Sequence, residues 1–172
     1  MFGCSFTKCH EKVRLKTVTQ FNKGAFMTNF QHPNLSILST CLMVADIKKS
    51  IDFYTSAFGF EVLETNERDG VLIGAALKLG DVSFLLSVTN SFYMRPLANA
   101  GGEAKTPMQT GIRYGSSVYA YCPNVDKLYV NAISCGAQSL AEPLDSPWGD
   151  RLCQLRDLDG YEWAFATYTN AA

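Results

Sequence analysis

The chain is poor in the groups that ordinarily perform polar catalysis. Its only histidines, His10 and His32, precede the first regularly patterned segment, so neither is placed to act from a strand. Six cysteines, Cys4, Cys9, Cys41, Cys122, Cys135 and Cys153, are irregularly spaced. A nucleophilic thiolate needs a basic neighbour, and Cys41 and Cys153 have no histidine to supply one. Cys4, Cys9 and His10 are of the right types for zinc, but no second ligand pair follows at finger spacing. Cys41, Cys122 and Cys153 fall instead in apolar runs, where a thiol packs as a small hydrophobe. Phosphate-cradling loops, dinucleotide fingerprints, hydrolase elbows and His-Glu zinc helices are missing.

The 172 residues suffice for one domain with a substantial core, and 47% apolar with 18% charged residues is an ordinary globular composition. A net charge of -1 gives no electrostatic reason to expect nucleic acid or a membrane surface as partner. No apolar run reaches the roughly 18 residues that span a bilayer. Without a recognisable secretory leader, the cysteines are expected to be reduced, in the cytoplasm.

From Asn34 onward the pattern becomes regular. Ser36 to Val44 is β-branched and apolar, which predicts a buried strand. Asp46 then stands where a helix cap belongs, and Ile47, Ile51, Tyr54 and Phe58 draw one apolar stripe that ends at Gly59. Strands are expected at Phe60 to Thr65, Val71 to Leu79 and Val82 to Val88, separated by turns at Arg68-Asp69-Gly70 and Gly80-Asp81. Residues 89–115 hold Pro96, Gly101, Gly102, Pro107, Gly111 and Gly115 and read as a linker or lid.

The pattern then recurs. Ser117 to Cys122 predicts a strand, Asn124 takes the place of Asp46, and Val125, Leu128, Tyr129 and Ala132 form a stripe stopping at Gly136. Further strands are expected at Gln138 to Ala141, Asp150 to Arg156 and Tyr161 to Thr167, the last two joined by the turn Asp157-Leu158-Asp159-Gly160. The fold class is therefore α+β, two tandem βαβββ modules whose sheets form one curved mixed surface. The expected organisation is a basic extension (1–33), a domain (34–168, with modules at 35–88 and 116–168) and a short tail (169–172). The extension carries Lys8, Lys12, Arg14, Lys16 and Lys23 against Glu11, and suits either a disordered arm, a targeting segment or a start before the true Met27.

The segment Leu42 to Tyr54, with Val44-Ala45-Asp46 followed by Ser50-Ile51-Asp52-Phe53-Tyr54, resembles the opening of a vicinal-oxygen-chelate module. Pro147-Trp148-Gly149-Asp150-Arg151 and Asp157-x-Asp159-Gly160-Tyr161-x-Trp163 resemble one branch of that superfamily, which includes glyoxalases, bleomycin-resistance proteins and extradiol dioxygenases. Leu158 stands where the branch usually has proline. The resemblance spans about residues 35–168, and one fold hosts many activities.

Metal-dependent relatives project His or Glu ligands from four strands, and the resemblance places those positions on Ser39, Leu85, Ser117 and Ala164. Two hydroxyls and two hydrocarbons cannot replace the water of a divalent ion. The resemblance thus implies no metal and no cofactor. Strand parity extends the inward face to Cys41, Ser83, Ser87, Tyr119, Tyr121 and Glu162, with Trp148, Leu152 and Gln154. The opposite parity puts Tyr161, Trp163 and Phe165 in the core. Arg151 also falls on that parity, and is expected to pair with Asp157 or another carboxylate.

The expected ligand-binding set is Ser39, Cys41, Leu85, Ser117, Tyr119, Tyr121, Trp148, Gln154 and Glu162, a lining suited to a small, partly aromatic molecule. Glu162 is the one inward carboxylate this reading places, and hence its candidate general base. Three readings follow: a metal-free drug- or metabolite-binding protein, expected as a homodimer; a glyoxalase-type lyase or isomerase using Glu162 or a non-standard metal site; and a structural protein whose cleft is filled by Tyr119, Tyr121 and Trp148.

Overall fold

A computed structural model describes residues 35–88, 105–112, 115 and 117–169. The chain divides between Gln31 and His32, and all described residues belong to the second unit. The basic arm, both histidines, residues 89–104 of the linker and the last three residues lie outside the described residues.

The first module runs β1 (Thr40–Val44), α1 (Ile47–Phe58), β2 (Glu61–Arg68), β3 (Val71–Leu79) and β4 (Val82–Val88). A short α2 (Pro107–Thr110) follows. The second module is β5 (Val118–Tyr121), α3 (Val125–Ser134), β6 (Gln138–Asp145), β7 (Asp150–Arg156) and β8 (Glu162–Tyr168). Each module makes one four-stranded mixed sheet, ordered β1-β4-β3-β2 and β5-β8-β7-β6, in which the first-named pair is parallel. The helix provides the crossover that parallel pairing requires.

Local chemistry accounts for the helices. Asp46 and Asn124 cap α1 and α3 by accepting from the backbone N–H groups of Lys49 and Lys127 at 3.1 and 2.9 Å. Gly59 ends α1 at a φ of 73°, a left-handed conformation that would strain a side-chain-bearing residue. Asn131 of α3 donates to the last-turn carbonyls of α1, Ser56 and Ala57, at 2.6 and 3.1 Å. That satisfies acceptors a helix end leaves free.

The modules share one core. Trp163 of β8, 1% exposed, lies among rings of the first module: Tyr54, Phe58, Phe60 and Phe84, at centroid distances of 5.6, 5.5, 5.6 and 5.4 Å. Burying a side chain of that size stabilises the fold by about 5 kcal/mol before entropic costs. Polar ties from the β7–β8 turn reinforce the contact. Tyr54 Oη donates to Asp157 Oδ2 at 2.5 Å, Ser50 Oγ to Asp159 Oδ2 at 2.8 Å, and the Ala45 N–H to Asp159 Oδ1 at 2.8 Å. Tyr161 Oη donates to the Met43 carbonyl and accepts from the Met43 N–H, each at 2.9 Å.

Several expected boundaries move. The first strand begins at Thr40 instead of Ser36, because Ser36 Oγ engages Ser83 and Ser39 and Ser36 N donates to Ser83 Oγ at 2.8 Å. Serine hydroxyls compete with strand pairing in this way. Strand β2 reaches Arg68, since Asp69 and Gly70 at φ 52° and 74° make a two-residue hairpin that leaves Arg68 paired with Val71. Strand β6 runs past Ala141 to Asp145 with irregular register. Pro143 is tolerated there because β6 is an edge.

Helix α2 was not expected inside the linker. Its capping box is nonetheless present in sequence: Thr106 Oγ1 accepts from Gln109 N at 3.2 Å, Gln109 Oε1 accepts from Thr106 N at 2.9 Å, and Pro107 opens the turn. Its Met108 N–H donates to Asp159 O at 2.9 Å.

Candidate functional site

The candidate site lies on the face of β5–β8–β7 opposite the aromatic core. Tyr119 and Tyr121 of β5 pair with Ala164 and Ala166 of β8, and Leu152 and Gln154 of β7 pair with the same alanines. Small residues on the middle strand leave room for the tyrosine rings to cross it. Two strand spacings are about 9.6 Å, roughly the reach of a tyrosine plus a hydrogen bond to a short acid. Both tyrosines end on Asp150: Tyr119 Oη donates to Oδ2 at 2.7 Å and Tyr121 Oη donates to the same atom at 3.0 Å. The Trp148 indole N–H is a third donor to Oδ2, at 3.2 Å. The rings of Tyr119 and Tyr121 meet edge-on, 5.6 Å apart at 67°.

Asp150 is held by its own turn. Its N–H donates to Ser146 Oγ at 3.0 Å, and its carbonyl accepts from Ser146 N at 2.7 Å. Gly149 sits at φ 90°, where a Cβ would come within 3.3 Å of the Tyr168 ring. The carboxylate is 3% exposed, and its Oδ1 is buried with no hydrogen-bond partner among the described residues. The Tyr119 phenol is pushed up to about 12, by burial first and then by its bond to Asp150. Tyr121 is raised by the same bond first, then by burial. Both therefore stay protonated at neutral pH and donate to the carboxylate.

A second feature adjoins this face. A cleft of ≈ 460 Å³ separates the β1 strand (40–43) from Ser117 and Val118, the 160–162 segment and Lys105. It gathers three of the expected residues: Cys41, Ser117 and Glu162. Gln154 lines a shallow hollow of ≈ 40 Å³ with Ser117, Glu162 and Ala164. Cys41 is exposed on its strand, yet partial desolvation of the thiol raises its pKa. That is the wrong direction for a nucleophile. Cys153 is buried and raised to about 11 by desolvation.

The other expected residues are elsewhere. Ser39 belongs to the Ser36–Ser39–Ser83 hydroxyl cluster, Ser83 is fully buried in it, and Leu85 is partly buried opposite Cys41 in the β1–β4 pair. Ser87 is buried on β4, while Leu152 and Ala164 lie beneath the tyrosines. Glu162 is not the one inward carboxylate, because Asp150 shares the parity of Leu152 and Gln154 on β7. The Glu162 carboxylate is engaged by Arg156, its Oε1 accepting from Nη2 at 3.0 Å. Arg151 pairs with carboxylates as expected, Asp126 and Asp145 at 2.8 and 3.1 Å, while Asp157 is committed to the inter-module core.

The four positions that the resemblance makes ligand-equivalent carry no side chain suited to a divalent ion. Ser39 Oγ is engaged by other serines, Leu85 and Ala164 offer hydrocarbon, and Ser117 offers one neutral hydroxyl. Among the described residues no three His, Cys, Asp or Glu side chains come together.

Paired βαβββ modules, each a four-stranded mixed sheet with one helix and both closed over a shared aromatic core, define the fold class. The model of the Glyoxalase/Bleomycin resistance protein/Dioxygenase superfamily matches residues 36–165, and the chain belongs to that family. Uncharacterized proteins of Mycobacterium bovis (Mb0911c) and Mycobacterium tuberculosis (Rv0887c) are each 30% identical to it over 130 residues, or 74% of this chain and 80% and 71% of theirs. Among solved structures, TioX from Micromonospora sp. ML1 is 25% identical with a TM-score of 0.61, covering 77% of this chain and 98% of its own. A glyoxalase/bleomycin resistance protein/dioxygenase family enzyme from Burkholderia phytofirmans shares the fold at 20% identity and a TM-score of 0.60, over 76% of this chain and 96% of its own.

Proposed function

We propose that the chain is a metal-free small-molecule binding protein of the glyoxalase/bleomycin-resistance type, which holds a partly aromatic drug or metabolite on the β5–β8–β7 face and in the adjoining cleft. One observation carries this reading. The face presents aromatic rings and hydrogen-bonding groups beside a ligand-sized cleft, and the positions that the family resemblance makes ligand-equivalent carry serine, leucine and alanine. A second copy of the chain completes the cleft in this reading. Ile37 and Leu38, 58% and 80% exposed next to the Ser36–Ser83 contact, are apolar surface such a copy would cover.

The four cysteines among the described residues are free, which suits a reducing compartment such as the cytoplasm. No helix of the described residues is long and apolar enough to cross a membrane. Calorimetry against a metabolite and drug panel, with metal analysis of the same sample, tests the proposal. Saturable binding without a stoichiometric divalent ion is expected, and one tightly held ion per chain would overturn it. The lyase or isomerase reading is weaker, because the Glu162 carboxylate is engaged by a guanidinium. Turnover of a hemithioacetal that vanishes in Glu162→Gln would reinstate it.

A further inference from the structure

The hydrogen-bond accounting around Asp150 says more about the ligand than the shape of the face does. Three donors converge on Oδ2, from Tyr119, Tyr121 and Trp148, and each spends its single polar hydrogen there. The cluster then has no hydrogen left to offer outward. What it presents is the phenol oxygens as acceptors, the π faces of three exposed rings, and a carboxylate whose Oδ1 is buried and unpartnered among the described residues. Buried carboxylate oxygens are normally satisfied. The neighbouring cation does not neutralise this one, because Arg151 is bound to Asp126 and Asp145. Acceptors, π faces and a net negative charge together attract a positive donor and repel an anion.

We infer that Asp150 and the rings of Tyr119, Tyr121 and Trp148 form a recognition site for a small organic cation, an ammonium carried next to a flat or apolar group. The inference rests on the small-molecule reading above and names its ligand class. The ammonium displaces the indole, whose 3.2 Å bond to Oδ2 is the longest of the three and whose ring is 66% exposed, and with three hydrogens to place it supplies Oδ1 as well as Oδ2. The ring then closes over the bound cation. A metal ion is a poor match, since a single carboxylate and two phenols kept protonated do not make a ligand set.

Titration of the full chain with benzylamine, benzyl alcohol and benzoate isolates charge at nearly constant shape. Trp148 emission is the readout, with Trp148→Phe as the control that leaves buried Trp163 in place. Benzylammonium should bind about tenfold or more tightly than benzyl alcohol, with no saturable response to benzoate. The preference should disappear in Asp150→Asn and shrink in Tyr119→Phe. Because the central comparison uses the unmutated protein, a poorly folding variant leaves the test intact.

Equal affinity for the amine and the alcohol, or a preference for benzoate, would sink the cation assignment while leaving the binding reading in place. Absence of binding by all three, together with an empty panel result, would remove both. Emission that changes with protein concentration and not with amine would assign the missing donor to a second copy of the chain, and overturn the proposal.

Discussion

Asp150 and Asp157 are equally buried, each 3% exposed, and each accepts a hydrogen bond from a tryptophan of its own module. Their surroundings differ in one respect. Both oxygens of Asp157 are used: Oδ1 accepts from the N–H groups of Asp159 and Tyr161, and Oδ2 from Tyr54 Oη and Trp163 Nε1. At Asp150 every side-chain bond falls on Oδ2. The first acid is complete and fastens two modules together. The second is half complete and lies under exposed rings. Burial alone would have ranked them alike; counting donors separates a structural carboxylate from one with a ligand still to meet.

The comparison is sharpest at its structural end. Trp163→Ala or Asp157→Ala should lower stability to urea by about 3–5 kcal/mol, the first by leaving a cavity and the second by orphaning four donors, three of them buried. A loss below about 1 kcal/mol in both would show that the shared core does not hold the modules. Gly160→Ala comes next. A Cβ there would lie 2.6 Å from Met108 N at a φ of 94°, so a cost of about 1–3 kcal/mol is expected. Asp150→Asn should move the midpoint by less than about 1 kcal/mol, because the amide oxygen keeps the three donors while a buried charge is removed. If it destabilised as much as Asp157→Asn, the contrast between the two acids would be lost.

Titration gives subtler tests. Burial raises the pKa of Asp157 and Asp159 above the usual 3.8, against the hydrogen bonds that lower them. An acid raised in the folded state binds protons more tightly there. Its stabilising contribution is therefore complete below 3.8 and fades as pH climbs through the folded value. Unfolding free energy measured across the weakly acid range should fall with rising pH, and the slope should lessen in Asp157→Asn. The smallest signal is the ultraviolet titration of Tyr119, near 12 in the intact protein, which should move toward 10 in Asp150→Asn. An unmoved value would mean that burial alone sets it.

Much of the fold was legible because it is written in short-range chemistry. Asp46, Asn124, Gly59 and the stripe through Ile47, Ile51, Tyr54 and Phe58 each act within a few residues, and the elements they predict are present. Trp163 is core, as strand parity implied. The errors cluster where distant residues decide. Ser36 leaves the strand pattern because Ser83 is beside it, whereas Arg151 meets carboxylates as expected, Asp126 and Asp145, Asp157 being already taken. Asp150 had the right parity for the site. Its importance depends on two tyrosines reaching across an alanine strand, which no spacing along the chain reveals. Helix α2 was missed despite a readable Thr106-Pro107-x-Gln109 signal, because glycines and prolines on either side suggested only a loop.

The bond between Tyr54 and Asp157 joins residues 103 positions apart. Chains emerge from the ribosome N-terminus first, and early segments usually fold as they appear. Here α1 is made long before the acid that accepts its phenol or the indole that seals its aromatic face. A nascent first module therefore waits, greasy and incomplete, until the closing hairpin has been translated. Deleting the C-terminal segment from 157 onward would strip the first module of its lining as surely as the second.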